Sequence, residues 1–355
     1  MLLPLALALG ACDVATPDPP RARGPDVQLL DAFPSNGCGI GSDPDCTMPP
    51  NGRIVLRFNR FLDPATVNRQ AIRVYSGDPD TSPGLIFNVV YDPVERVVEF
   101  RLASGYRFQP GALYRYDLVV PKAPDDYGIR AFDGAPIAEG DVPLGASFIV
   151  DTNDVEVPPE PAAPSCSDIV KHVFSSELGS CTAARCHRSS GNVVDGKDVG
   201  AAPHELWLDS RANLLHTAIG RVARQTEVGD VSGGPPLERG ERFGVRMALI
   251  DPKNPGGSYL MYKLLRNPQN YEPCGASGSS PFCTPAEASV SSHPWLPLAR
   301  HQSLRPSPEE LERLHEWFVR GEPMPLDPEK RGLGLGLDGL RAVSAFIADG
   351  ADCSE

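Results

Sequence analysis

The chain has 355 residues, room for about two domains at ordinary domain size, and its 41% apolar and 22% charged content is that of a soluble globular chain. With 33 Lys and Arg against 46 Asp and Glu the net charge is −13, which repels a phosphate backbone and excludes nucleic acid as an expected partner. No apolar run approaches the ~20 residues of a membrane-spanning helix, and 38 prolines with 34 glycines point to long turns and few long helices.

Leu2 to Leu9 is an apolar stretch of export-signal length, too short to span a bilayer. It ends in Leu9-Gly10-Ala11-Cys12, which resembles the lipobox of bacterial lipoproteins. The resemblance implies a signal peptide over 1–11, cleavage before Cys12 and lipidation of that cysteine. The protein would then be exported and held in the bacterial cell envelope, at the periplasmic face or in the outer membrane, with the membrane as partner through the N-terminal lipid. Segment 12–26, rich in Pro and charge, reads as an extended tether.

Period-two patterning follows. Ile54, Leu56 and Phe58 alternate with Arg53, Val55 and Arg57, and Tyr114, Tyr116 and Leu118 alternate with Leu113, Arg115 and Asp117, which predicts half-buried strands. The segments around Leu85 to Tyr91 and Val97 to Leu102, joined by DPVER, read as a hairpin. Many short strands with frequent turn signals predict a β-sandwich. GRIVLRFNRFLDPATV, IRVYSG, VVEFRL, GALYRYDLVV and ASFIVD, in that order, resemble the bacterial Ig-like domain of the S-layer SbsA type over 27–152. The resemblance implies a spacer or adhesive module without catalysis, in which Asn59 and Asp63 form turns.

A Pro-rich linker at 153–164 separates this half from 165–355, where the period changes. Ser167 is placed to cap a helix carrying Ile169, Val170, Val173 and Phe174 on one face. A short helix starts at Ser258 and runs through YLMYKLL. Ser307 and Glu310 have capping-box spacing with Pro308 at the first helical position, an apolar face of Leu311, Leu314 and Phe318, and Gly321 as stop. Asp338 caps a last helix with Leu340, Val343 and Ile347 inside and Gly350 after its end. The fold class is thus multidomain, all-β plus mainly α: an Ig-like β-sandwich followed by a helical domain with long loops at 225–245 and 267–303.

Cysteine and histidine converge at short spacing in CTAARCHR, residues 181–188. The c-type haem signature is CxxCH, with two thioethers to the porphyrin and an adjacent histidine on iron. Four residues separate the cysteines here. On a straight helix positions five apart rise about 7.5 Å, beyond the ~6.8 Å that disulfide Cα atoms tolerate, so the segment reads as a loop. With LWLDS at 206–210, DPKNPGGSYLMYKLL, GEPMP and LRAVSAFIADGADC, the order resembles planctomycete-type cytochrome c domains over about 165–355. That resemblance implies haem c attached through Cys181 and Cys186, with His187 as proximal and Met324 as distal iron ligand, in a single-electron carrier rather than an enzyme, serving a redox partner protein that the residues do not name. Two other uses of the motif stay open. One is a Cys181–Cys186 disulfide in a haem-free structural or adhesive lipoprotein with no cofactor. The other is a zinc site adding His204 or His216 to Cys181, Cys186 and His187.

An even remainder of eight cysteines after Cys12 reads as bridges in an exported protein. Cys38 with Cys46 and Cys274 with Cys283 are local pairs, and Cys166 with Cys353 clamps the ends of the C-terminal half. Met247 and Met261 read as core fillers, and His172, His293, His301 and His315 as surface or core residues. No catalytic elbow, phosphate loop or HExxH zinc motif is present.

Overall fold

The computed structural model describes residues 23–35, 47–82, 85–153, 162–175, 181–182, 187–189, 193–194, 197–198, 206–223, 247–271, 305–319, 324 and 334–354. Within them the chain is mixed, with two four-stranded sheets in its N-terminal half and five helices in its C-terminal half. The strands are β1 (Leu29–Phe33), β2 (Thr47–Met48), β3 (Arg53–Phe58), β4 (Ile72–Tyr75), β5 (Phe87–Asp92), β6 (Val97–Leu102), β7 (Leu113–Leu118) and β8 (Gly145–Val150). One sheet has the order β1-β3-β6-β5 and the other β2-β8-β7-β4. All neighbours are antiparallel except β2 and β8, which run parallel.

Alternation decides which side chains enter the core between the sheets. Ile54, Leu56 and Phe58 of β3 meet Tyr114, Tyr116 and Leu118 of β7 in one buried cluster, as the period-two pattern predicts. β5 and β6 form the predicted hairpin, with Tyr91 opposite Val98. Phe108 meets Tyr114 and Phe148 edge to face at centroid distances of 5.1 and 5.3 Å, a favoured aromatic arrangement. Asp63 forms a turn, accepting from the Ala65 N–H at the head of a short 3-10 turn, whereas the expected turn former Asn59 instead joins the segment before β1, accepting from the Gln28 N–H 31 residues away.

The opposite face of β3 departs from the half-buried expectation. Val55 is fully buried and Arg57 only 1% exposed. Arg57 pairs with Glu95 at 3.1 Å, and Glu95, itself fully buried, also pairs with Arg341 of the last helix at 3.1 Å. The β5–β6 turn, DPVER, is covered by the C-terminal half, so a face that reads as solvent-exposed carries buried charge matched by opposite charge.

The helices are α1 (Cys166–Asp168), continued by a π-helical turn over Ile169–Phe174, then α2 (Arg211–Thr217), α3 (Tyr259–Leu265), α4 (Pro308–Trp317) and α5 (Gly336–Asp349); a small hairpin joins β9 (Val193–Val194) to β10 (Lys197–Asp198). Every residue of α3 is buried, and Tyr259 and Tyr262 pack edge to face on Phe318 at 5.3 and 5.2 Å. Met247 and Met261 lie in this core, as expected. Cys166 and Cys353 form the expected disulfide, with Cα atoms 5.2 Å apart. It closes a loop of 187 residues, which the chain-entropy model values at about 5 kcal/mol.

Helix boundaries differ from the sequence reading in three places. Ser165, not Ser167, caps the first helix, because Asp168 stands three residues on and completes a reciprocal box with it. α4 begins after Ser307 as expected but ends at Trp317, before Gly321. α5 begins at Gly336, which puts Asp338 in its first turn, paired with Arg341 at 3.4 Å; Gly350, at φ +120°, closes the helix where a side chain would be strained.

The two halves share packing. Phe61, Val94 and Phe132 of the sheet half belong to the same apolar cluster as the helices. Arg60, 2% exposed, pairs with Asp133 at 2.8 Å and with Glu310 of α4 at 2.8 Å. The other oxygen of Glu310 accepts from the Phe61 N–H at 3.1 Å. Ser307 caps the Glu310 N–H, yet Glu310 turns away from its own helix end to make this contact. The Ser344 hydroxyl donates to Asp92 at 2.7 Å, and Gly256 lies so close to the Tyr91 ring that a Cβ there would fall 2.5 Å from it. No helix among the described residues is long and apolar enough to cross a membrane.

Candidate functional site

Cys181 follows the first helix of the C-terminal half and is 5% exposed. The Thr182 N–H donates to the Phe174 carbonyl at 3.2 Å, and the His187 N–H donates to the Cys181 carbonyl at 2.8 Å, so the chain leaves the helix and folds back within six residues. Cys186 lies outside the described residues.

His187 is 8% exposed, and its position is fixed by the segment 206–210. The Leu208 N–H donates to the His187 carbonyl at 2.9 Å, and His187 Nδ1 lies 3.1 Å from the Leu206 carbonyl. A carbonyl oxygen only accepts, so Nδ1 carries the proton and the neutral ring has its lone pair on Nε2. Two residues on, the Ser189 N–H and Oγ–H both donate to Asp209 Oδ2, at 2.9 and 2.8 Å. Asn213 Nδ2 donates to the other Asp209 oxygen at 2.7 Å, and Ser210 caps α2 by accepting from the Asn213 N–H. The Thr217 hydroxyl accepts from the Trp207 N–H at 3.0 Å, tying the same segment to the end of α2.

Met324 is partly buried and packs against the helical core that also contains Cys181. Its N–H donates to the Lys263 carbonyl at 3.2 Å, and its carbonyl accepts from Asn270 Nδ2 at 3.1 Å. Asn270, fully buried, also donates to the Leu264 carbonyl at 2.7 Å and accepts from the Leu335 N–H at 2.8 Å. One amide thus joins the end of α3, the Met324 segment and the approach to α5. The sequence reading missed Asn270 and Asp209: an isolated Asn in PQNY and an Asp in LWLDS carry no motif of their own.

Imidazole, thioether and thiol donors are those of a c-type haem, and one observation fits that group. The imidazole Nδ1–H is bound by a backbone carbonyl, as the second nitrogen of a metal-ligating histidine is. The Trp207 indole N–H, in the segment that orients His187, is buried and finds no acceptor among the described residues. For zinc, no group of three or more His, Cys, Asp or Glu is arranged to hold a metal among the described residues; His216 lies in the last turn of α2, and His204 lies outside them. Of the remaining assignments, Cys166 and Cys353 are joined, while Cys12, Cys38, Cys46, Cys274 and Cys283 lie outside the described residues, as do the signal peptide, most of the tether, the loop at 225–245 and residues 272–303 of the second loop, whose start forms a 3-10 turn over Pro268–Tyr271.

No family model matches the chain, and no curated protein does. Weak structural similarity is found to bacterial S-layer protein SbsC. The structure of rSbsC(31-844) aligns at a TM-score of 0.24 and 12% identity, covering 40% of this chain and 17% of that one. The N-terminal part of SbsC aligns at 0.24 and 11%, covering 38% and 25%. SbsC domains 1-6 align at 0.25 and 12%, covering 40% and 17%. The chain therefore spans a quarter or less of the S-layer structures it overlaps.

Proposed function

We propose that this is an exported, lipid-anchored protein of the bacterial cell envelope whose C-terminal half is a c-type cytochrome-like electron carrier and whose N-terminal half is an Ig-like sandwich. The observation that carries the redox reading is the His187 imidazole, directly after the second cysteine of CTAARCHR, with Nδ1–H bound to the Leu206 carbonyl, the arrangement in which Nε2 is the nitrogen that would bind a metal. Cys181 and Cys186 would hold haem c covalently, with His187 and Met324 as iron ligands. Bound there, haem supplies a one-electron couple, and two protein ligands leave iron no vacant position for substrate. The chain's own residues orient the imidazole through Leu206, hold Met324 through Asn270 and bury Cys181 among apolar side chains.

The Ig-like reading is supported by strand order. Lettered A, A′, B, C, D, E, F and G along the chain, the sheets read A-B-E-D and A′-G-F-C. The anchoring reading is supported by the lipobox at Cys12. The proposed partners are the membrane, through the N-terminal lipid, and a redox protein; the acidic charge disfavours nucleic acid.

An absorbance spectrum of the protein matured in a host able to attach haem tests this reading. A reduced α-band is expected. Its absence from folded, exported protein would leave the haem-free, disulfide-stabilised structural lipoprotein in its place.

A further inference from the structure

The geometry points to Asp209 as a positioning residue for His187: its carboxylate clasps the strip 187–189 onto 206–210 and thereby holds the imidazole in the tautomer that offers Nε2 as a ligand. This rests on the reading of His187 as an iron ligand and adds to it the residue that aims the ring. Three sets of hydrogen bonds join the two strips. His187 Nδ1–H reaches the Leu206 carbonyl, the Leu208 N–H reaches the His187 carbonyl, and the Ser189 N–H and Oγ–H both reach Asp209 Oδ2. Only the last set is made by a side chain that accepts twice, so it is the part of the clasp that sequence can vary. Asp209 is itself anchored by Asn213 at 2.7 Å in α2, whose first turn is capped by the adjacent Ser210. Burial works to raise the Asp209 carboxyl, but the Ser189 main-chain and side-chain donors and the Asn213 amide outweigh it and hold the group below its ordinary value. At neutral pH it is therefore a charged acceptor, and hydrogen bonds to a charged acceptor are roughly twice as strong as neutral ones.

The consequence is specific to the ring. If the strips part at Ser189, the Leu206 carbonyl moves from Nδ1, and the proton redistributes between the two nitrogens. Imidazole nitrogen shifts of the full exported chain, produced without haem attachment, read this directly. The wild-type ring is expected in the Nδ1–H form. Asp209→Ala should lower the ratio of Nδ1–H to Nε2–H about fivefold, as expected for one weakened hydrogen bond. Asp209→Asn, which keeps an accepting oxygen, should restore most of that ratio. Should Asp209→Ala fail to form the Cys166–Cys353 disulfide, Ser189→Ala, which deletes one hydroxyl and leaves the backbone, is expected to shift the ratio in the same direction.

An unchanged tautomer in Asp209→Ala or, where that variant does not fold, in Ser189→Ala overturns the assignment, as does a wild-type ring in the Nε2–H form. A parallel preparation from a haem-attaching host separates this from the function itself. No haem on the wild type, with the tautomer shift intact, removes the electron carrier and keeps the clasp. Haem on the wild type, with no tautomer shift in the variants, does the reverse.

Discussion

Replacing Arg60 by Met strands two buried carboxylates between the halves of the molecule. The Arg60 side chain is 3% exposed, against 0% for Asp133 and 7% for Glu310. Removing one partner of such a buried pair costs about 3–5 kcal/mol, because the remaining charge keeps its desolvation penalty and loses its counter-charge. The two acids respond differently. Asp133 keeps the Gly24 N–H at 2.7 Å and the Ala135 N–H at 3.1 Å, and stays ionised. Glu310, whose carboxyl burial already raises despite Arg60, takes up a proton and keeps the Phe61 N–H as donor, which softens the loss. We therefore expect about 3 kcal/mol, the lower end of the range. In a chain of this size that lowers Tm by about 4 °C. Urea and thermal unfolding of the full exported chain measure it. Adding Asp133→Asn and Glu310→Gln should recover most of the loss, since the stranded charge is what costs. A loss below ~1 kcal/mol, or no recovery in the triple variant, would refute the argument.

Four further predictions concern individual side chains. Glu310 has a folded pKa above its unfolded one, so between the two values the folded state holds more protons and stability falls as pH rises; Glu310→Gln should abolish that decline, measured by urea unfolding across the range above pH ~4. For Asp133 and Asp209 the sign is opposite: Arg60 beside Asp133 and Ser189 beside Asp209 outweigh burial and hold both carboxyls low, so their contribution is present above the unfolded carboxylate value and should be lost as pH falls through the folded one. Asn270→Ala strands the Leu335 N–H and removes the amide donor from the Met324 carbonyl, while the Leu264 carbonyl keeps the Asn267 N–H; it should cost about 2 kcal/mol in chemical denaturation, well beyond a surface substitution. Cys12→Ser should move the protein from the membrane fraction to the soluble exported fraction; unchanged membrane association would place the anchor elsewhere.

The sheet half was legible because its strands keep a two-residue period: Tyr114, Tyr116 and Leu118 point inward as written, and DPVER turns where it reads as a turn. Ser307 and Gly350 mark helix ends by local chemistry, which sequence carries directly. What sequence concealed is long-range. Arg57 alternates like a solvent-facing residue, but Glu95 and Arg341 come from 38 and 284 positions away to bury its face. Glu310 matches a capping box, and nothing local shows that its side chain leaves for Arg60, 250 residues distant. At the site, CTAARCHR names its own residues, whereas Leu206 acts through its backbone carbonyl, Asp209 through its carboxylate and Asn270 through its side-chain amide, on partners only the fold supplies.

Peptide mapping by mass spectrometry of native exported protein, from a host that attaches haem, tests the central claim most directly, because Cys181 and Cys186 have one use in each account. The electron-carrier account predicts a peptide spanning 181–187 that carries covalent haem on both thiols, with the Cys166–Cys353 disulfide intact. A Cys181–Cys186 disulfide in that material would contradict it.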